Sequence, residues 1–317
     1  MNILYVFPGQ GSQYEGMGKD ICEAHDTARK IYDTASEVLG YDIVDMSFNN
    51  PGDELNLTRN TQPALLTHHI ACLEVFREAA GGDVQPTLAA GHSLGEYSAL
   101  VAANALSFET ALKLVQKRGE LMGEHGEGEM TAFTTDVDTI KPLAEKYHCA
   151  IAGVNLPQQT VVGGASADLT PLEEYVTSEF KRTRAIRLKT EGAFHTYYMV
   201  TAAKLFRSVL DAADMQAPDI KVLSNYTGGF HDDDPDSIKS RLFFQLFHPV
   251  MWNSNLESAF GEGIDKIYEF GGGIGPGEAH EKRPNLEGMI KKARRAAGSE
   301  AEYVAAINRQ TISEATS

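Results

Sequence analysis

Cysteine is scarce in this 317-residue chain. There are three, Cys22, Cys72 and Cys149, far apart and in no metal-binding or disulfide-framework spacing. They read as buried free thiols of a reducing compartment, so a cytoplasmic protein without a metal site is expected. Long apolar runs are missing too. Nothing approaches the roughly 20 residues that cross a bilayer, and no basic leader precedes the first strand-like run, Ile3-Leu4-Tyr5-Val6-Phe7, so neither a membrane span nor a secretory signal is expected. Positive charge is also in short supply. Lys and Arg number 28 against 44 Asp and Glu, for a net charge of −16, which argues against a phosphate backbone as partner. Two basic clusters run against that balance: Lys181-Arg182-Thr183-Arg184 with Arg187 and Lys189, and Lys291-Lys292 with Arg294-Arg295. Each reads either as a solvated face or as a dock for an acidic partner. No repeat or low-complexity tract interrupts an ordinary globular composition, 42% hydrophobic and 23% charged.

What is present is an alternation of strand-like and helix-like segments. The opening strand runs into the Gly-rich loop Phe7-Pro8-Gly9-Gln10-Gly11-Ser12-Gln13. Helical patterns follow over residues 17–39 and from Thr61-Gln62-Pro63 to about Ala80, then a strand at Leu88-Ala89-Ala90 and helices near 96–104 and 107–123. This order implies an α/β fold with a parallel sheet covered on both faces. After Gly128 the texture changes. Strands near 130–134, 150–154, 160–163 and 183–188 with helices near 137–147 and 168–180 spell β-α-β-β-α-β, a compact ferredoxin-like insert. A helix near 198–213 and strands at 220–224 and 266–270 resume the first pattern. The expected division is a discontinuous large domain, 1–127 and 197–300, a small one, 128–196, and a frayed polar tail, 301–317.

Chemistry concentrates at Gly91-His92-Ser93-Leu94-Gly95, a G-x-S-x-G pentapeptide between a strand and a breaker-free, alanine-rich helix. Glycines on both sides let the backbone turn sharply enough to expose a serine, and the following helix aims its positive end at the developing charge. The alternative is a turn whose serine caps the helix. A nucleophilic serine needs a base. His92 adjoins Ser93 and should point away from it, and His68 and His69 lie mid-helix, whereas His195 sits in a loop that can overhang a cleft between the domains. Buried packing is the other reading of His195. Oxyanion donors are available from the Leu94 amide and from an amide of the Gly9-Gln10-Gly11 loop. No carboxylate follows the hydrolase order Ser…Asp…His, which argues against an ordinary lipase or esterase. Arg118 reads as a surface or helix-dipole residue, or as a bidentate grip on a substrate carboxylate.

Taken together, Phe7-Pro8-Gly9-Gln10-Gly11-Ser12-Gln13, Thr61-Gln62-Pro63-Ala64-Leu65, Gly91 to Leu100 and Lys117-Arg118-Gly119 resemble the malonyl-CoA:acyl carrier protein transacylases, over residues 1 to about 295. The resemblance implies an α/β-hydrolase-like large domain with a ferredoxin-like small one. It implies Ser93 as nucleophile, His195 as base held by the main-chain carbonyl of Gln245, and the Gln10 and Leu94 amides as oxyanion hole. Arg118 would pair with the carboxylate of a malonyl-type acyl group, with Gln62, Phe194, Met122 and Asn155 lining its pocket; the Ala193-Phe194-His195 form is similar to that of malonyl-selective members. The implied substrates are malonyl-CoA or a related acyl-CoA and a phosphopantetheinylated acyl carrier protein, handled by a monomer with no bound cofactor, in polyketide or fatty acid synthesis. The chain departs from the family pattern at Gly128-Glu129-Met130-Thr131-Ala132, at the short loop Val154-Asn155-Leu156-Pro157 and at the glycine-rich Glu269–Gly277. These departures bear on the acyl group and favour an assembly-line role. The alternatives are a hydrolase that clears acyl groups from carrier proteins, against which retention of Arg118 weighs, and transfer of a non-malonyl acyl group.

Overall fold

The computed structural model describes residues 1–317. Its nine strands, numbered in chain order, are β1 (Ile3–Phe7), β2 (Leu88–Gly91), β3 (Glu129–Phe133), β4 (Ala150–Leu156), β5 (Gln159–Gly164), β6 (Ala185–Arg187), β7 (Lys221–Val222), β8 (Lys266–Phe270) and β9 (Glu302–Ala306). Every residue of β1 is buried, as expected of a strand inside a parallel sheet. It pairs with β2, Phe7 opposite Gly91, and on its other side with β8. The complete parallel order is β7-β2-β1-β8-β9. Side chains alternate across it. Ile3, Tyr5 and Phe7 enter one core with the helices Asp26–Leu39, Thr58–Ala79 and Phe108–Glu124, while Leu4 and Val6 enter a second core with Trp252, Leu256 and Ile290 of the helices Trp252–Gly261 and Glu287–Ala297.

The second sheet is antiparallel, in the order β4-β5-β3-β6, the arrangement that β-α-β-β-α-β connectivity produces in ferredoxin-like folds. The helices Val137–Lys146 and Ser166–Glu179 cover one face over a core of Phe133, Ile140, Val162, Leu169, Leu172 and Val176. From the other face Met130, Ala132, Ala152 and Val161 join the large core. The small sheet thereby roofs the C-terminal ends of β1 and β2, where an open α/β sheet places its ligands.

The structure corrects one expectation about the chain end. Residues 301–317 are not a frayed polar tail: β9 pairs with β8 from Lys266–Glu302 to Phe270–Ala306, and the helix Arg309–Ala315 follows, capped by Asn308. Ala306, Ile307 and Ile312 are buried. The segment reads as polar because an edge strand hides only part of itself. The stretch 17–39 also divides, at His25, into the helices Lys19–Ala24 and Asp26–Leu39. Neither basic cluster is uniformly free. Arg187 is bound to Glu129 and Glu173, Lys291 pairs with Glu287, and Arg294 donates to Ala301 O. No helix is long and apolar enough to cross a membrane.

Candidate active site

β2 delivers Ser93 through a turn that only this glycine pattern permits. A Cβ on Gly91 would lie 1.8 Å from the carbonyl carbon of Gly95, and one on Gly95 would lie 2.2 Å from Phe7 O at the end of β1. Ser93 itself sits at φ 53°, a left-handed conformation that costs a non-glycine residue about 1–3 kcal/mol. Asn225, just past β7, holds it there by accepting from Ser93 N at 2.6 Å. His195, after the small sheet, is likewise left-handed, at φ 61°.

The two side chains meet. Ser93 Oγ lies 2.8 Å from His195 Nε2, and His195 Nδ1 lies 2.7 Å from the main-chain oxygen of Gln245. A carbonyl only accepts, so Nδ1 carries the proton and Nε2 is free to receive one from the serine. Burial, reinforced by the Arg118 cation, pushes His195 down to about 3 from the usual 6.5. The imidazole is therefore neutral at physiological pH, the form a general base requires.

Arg118 is neither a surface group nor a helix-end cation; it is 1% exposed. Nη1 donates to Gln62 Oε1 at 2.8 Å, and Nη2 to Gln245 Oε1 at 2.9 Å and Ser93 Oγ at 3.2 Å, while Nε has no partner. All its partners are neutral. A buried cation without a counter-ion in contact is costly, and one facing a cavity beside a serine hydroxyl is poised to receive an anion there. Its guanidinium also lies 5.6 Å from the centre of the Tyr97 ring.

Ser93, His195, Arg118, Gln10, Leu94, Gln62, Met122, Phe194 and Asn155 line one cavity of about 760 Å³ between the two sheets. Gln245 stands behind the histidine, outside that lining. The backbone amides of Gln10 and Leu94 donate to no protein acceptor, so both are available to a developing oxyanion. His92 also faces the cavity, but turns away from Ser93 Oγ to bond Asn155 Oδ1 at 2.9 Å, its ring edge-on to Trp252.

The comparisons fit this geometry. Residues 4–242 match the acyl transferase domain model. The chain is 39% identical over 302 residues to the malonyl CoA-acyl carrier protein transacylase of Bacillus subtilis, covering 92% of this chain and 90% of that one. The chain belongs to the malonyl-CoA:acyl carrier protein transacylase family. It is also similar to the polyketide biosynthesis malonyl CoA-acyl carrier protein transacylase of Bacillus subtilis, 36% identical over 90% of this chain and 99% of the other. Among solved structures, the malonyl CoA-acyl carrier protein transacylase from Coxiella burnetii superposes with a TM-score of 0.88 at 30% identity, covering 100% of this chain and 97% of that one. A malonyl-transacylase in complex with its type II polyketide acyl carrier protein gives a TM-score of 0.89 at 31% identity, covering 100% and 99% of the two chains.

Sequence reasoning missed the polar residues behind the dyad. Glu96 lies in the quoted motif but reads as a first-turn helix acid, and in the fold it is fully buried against Asn225, Gln245 and His231. Asn225 and His231 carry no motif. The one available signal was Asn225 itself, a polar residue placed just where a strand run ends.

Proposed function

We propose that this chain transfers a malonyl group from CoA to the phosphopantetheine thiol of an acyl carrier protein through an ester on Ser93. His195 takes the Ser93 proton as Oγ attacks the thioester carbonyl, and the oxyanion is received by the Gln10 and Leu94 amides. Collapse breaks the C–S bond, and His195 returns the proton to the departing CoA thiolate. The carrier thiol then enters by the same cavity, gives its proton to His195 and attacks the ester; as the C–O bond to Ser93 breaks, His195 returns that proton to Ser93 Oγ. Cofactors have no part in either half. The observation that carries the reading is Arg118, a buried guanidinium 3.2 Å from the nucleophile with only neutral protein partners. It offers the free malonyl carboxylate a place beside the reacting ester.

The test is loading from malonyl-CoA and acetyl-CoA, followed by mass spectrometry, with and without a panel of carrier proteins. Arg118→Ala should lower malonyl loading by about 100-fold or more while sparing acetyl loading. Unchanged malonyl loading would refute the carboxylate grip, and a Ser93→Ala variant that still labels would refute the nucleophile. If the acyl-enzyme passes to water faster than to any carrier thiol, the chain is a hydrolase.

A further inference from the structure

We infer that Glu96 is a positioning residue that holds both halves of the Ser93–His195 pair, an inference resting on the reading of that pair as nucleophile and base. Glu96 touches neither reacting atom. Its carboxyl group is enclosed, with all its partners supplied by segments distant in sequence. Oε2 accepts from Asn225 N at 3.0 Å and from Gln245 Nε2 at 2.8 Å, and Oε1 meets His231 Nε2 at 2.7 Å.

Two of these partners lead to the dyad by separate routes. Asn225, anchored by its own amide on Glu96, uses Oδ1 to hold Ser93 N and Nδ2 to hold Gly91 O at 2.8 Å and Asn255 Oδ1 at 3.0 Å. The strained nucleophile is thus clamped by a side chain whose backbone Glu96 fixes. Gln245 is the second route. Its Nε2 donates to Ser93 O at 3.0 Å as well as to Glu96, its Oε1 takes Arg118, and its main-chain oxygen orients His195. The same residue therefore sets the position of the base and ties it to the elbow. His231, returned to this point by the Leu223–Phe230 bridge, fixes the remaining oxygen.

An enclosed carboxyl group is costly unless its lone pairs are occupied. Here they are occupied by donors that the chemistry needs held still, since a shift of about 1 Å at a reacting group can cost on the order of 100-fold in rate. The pattern also states what an isostere would preserve. In Glu96→Gln the amide oxygen can face Asn225 and Gln245, and the NH2 can face His231 Nε2. That nitrogen can become an acceptor by moving its proton to Nδ1, which has no other partner. Glu96→Asp keeps the charge but withdraws the oxygens by one methylene.

The experiment compares E96Q, E96D and E96A in the full chain. It measures the rate of Ser93 labelling by a fluorophosphonate, kcat and KM for malonyl-CoA, and melting temperature, all per folded molecule. E96D and E96A should lose labelling rate and kcat together by about 100-fold. KM should stay within about threefold, and E96Q should recover both rates to within about fivefold of wild type. A merely structural role would move melting temperature and folded yield and leave those rates alone. If E96A does not fold, the contrast between E96D and E96Q decides. Labelling and kcat at wild-type level in E96D would overturn the inference, as would a loss in E96Q equal to that in E96D. The fluorophosphonate carries neither malonate nor pantetheine, so the labelling rate tests Glu96 independently of which acyl group Ser93 carries.

Discussion

At the scale of single residues, the proposed chemistry depends on keeping one imidazole uncharged beside a cation. His195 can accept the serine proton only while unprotonated, and that form is lost as pH falls through its pKa. Burial and Arg118 have brought that pKa down to about 3, so kcat/KM, which reports the free enzyme, should hold level from pH 8 down to about pH 5. A pH–rate profile checks this. An acid limb centred on 6.5 would mean that His195 keeps an ordinary imidazole environment. The sharp turn that carries Ser93 was readable from sequence because glycines flank it for steric reasons that leave a written trace. Arg118 was less so: nothing in Lys117-Arg118-Gly119 distinguishes a buried cation from a surface one until the helix Phe108–Glu124 is packed against Thr58–Ala79. Glu96 and His231 were unreadable, and Asn225 nearly so, for a similar reason. Their partners lie about 130 positions apart and meet only when the loop after β7 folds over the helix Gly95–Ala102.

Among elements, the decisive contact is that of one helix start with one strand end. The helix Gly95–Ala102 begins against the last carbonyl of β1, and a methyl group at Gly95 has only main chain to meet: Phe7 O at 2.2 Å and Pro8 O at 2.9 Å. Gly95→Ala should push the helix away from the sheet and carry the elbow with it. A loss of about 1–3 kcal/mol from overpacking is expected, with Ser93 labelling falling by more than the stability loss explains. Urea unfolding and labelling together test this, and a variant with normal labelling would show that the elbow tolerates the shift. Period and breakers were enough to mark the two sheets and their principal helices. They were not enough for β9, whose Glu302-Tyr303-Val304-Ala305-Ala306 becomes a strand because β8 offers it an edge. Nor were they enough for the helices Pro235–Gln245 and Trp252–Gly261, which fall between the strands expected at 220–224 and 266–270.

For the whole molecule, the chain end closes the architecture. Deleting residues 301–317 would bare the outer edge of β8, remove Ala306 and Ile312 from the core, and take the Tyr303 hydroxyl from Glu269, whose carboxyl group burial already raises to about 7. Exposed parallel edges invite association, so the truncated chain should be markedly less soluble and unfold at lower urea than the full one. A neutral deletion would restore the view of this segment as a tail. Soluble yield and urea midpoint are the measurements.

The place of β1 at the middle of the large sheet has a consequence for how the protein is made. It precedes every other described strand in the sequence, yet Ile3 must wait for Lys266, and β8 must then wait for β9. Until residues 266–270 have emerged, this strand has one bare flank, and Ser93 precedes by about 150 residues the carbonyl that holds His195. On the proposed mechanism Ser93 therefore acquires its oriented base only after residue 245 has been made, and a sheet whose central strand waits this long for its partner folds slowly.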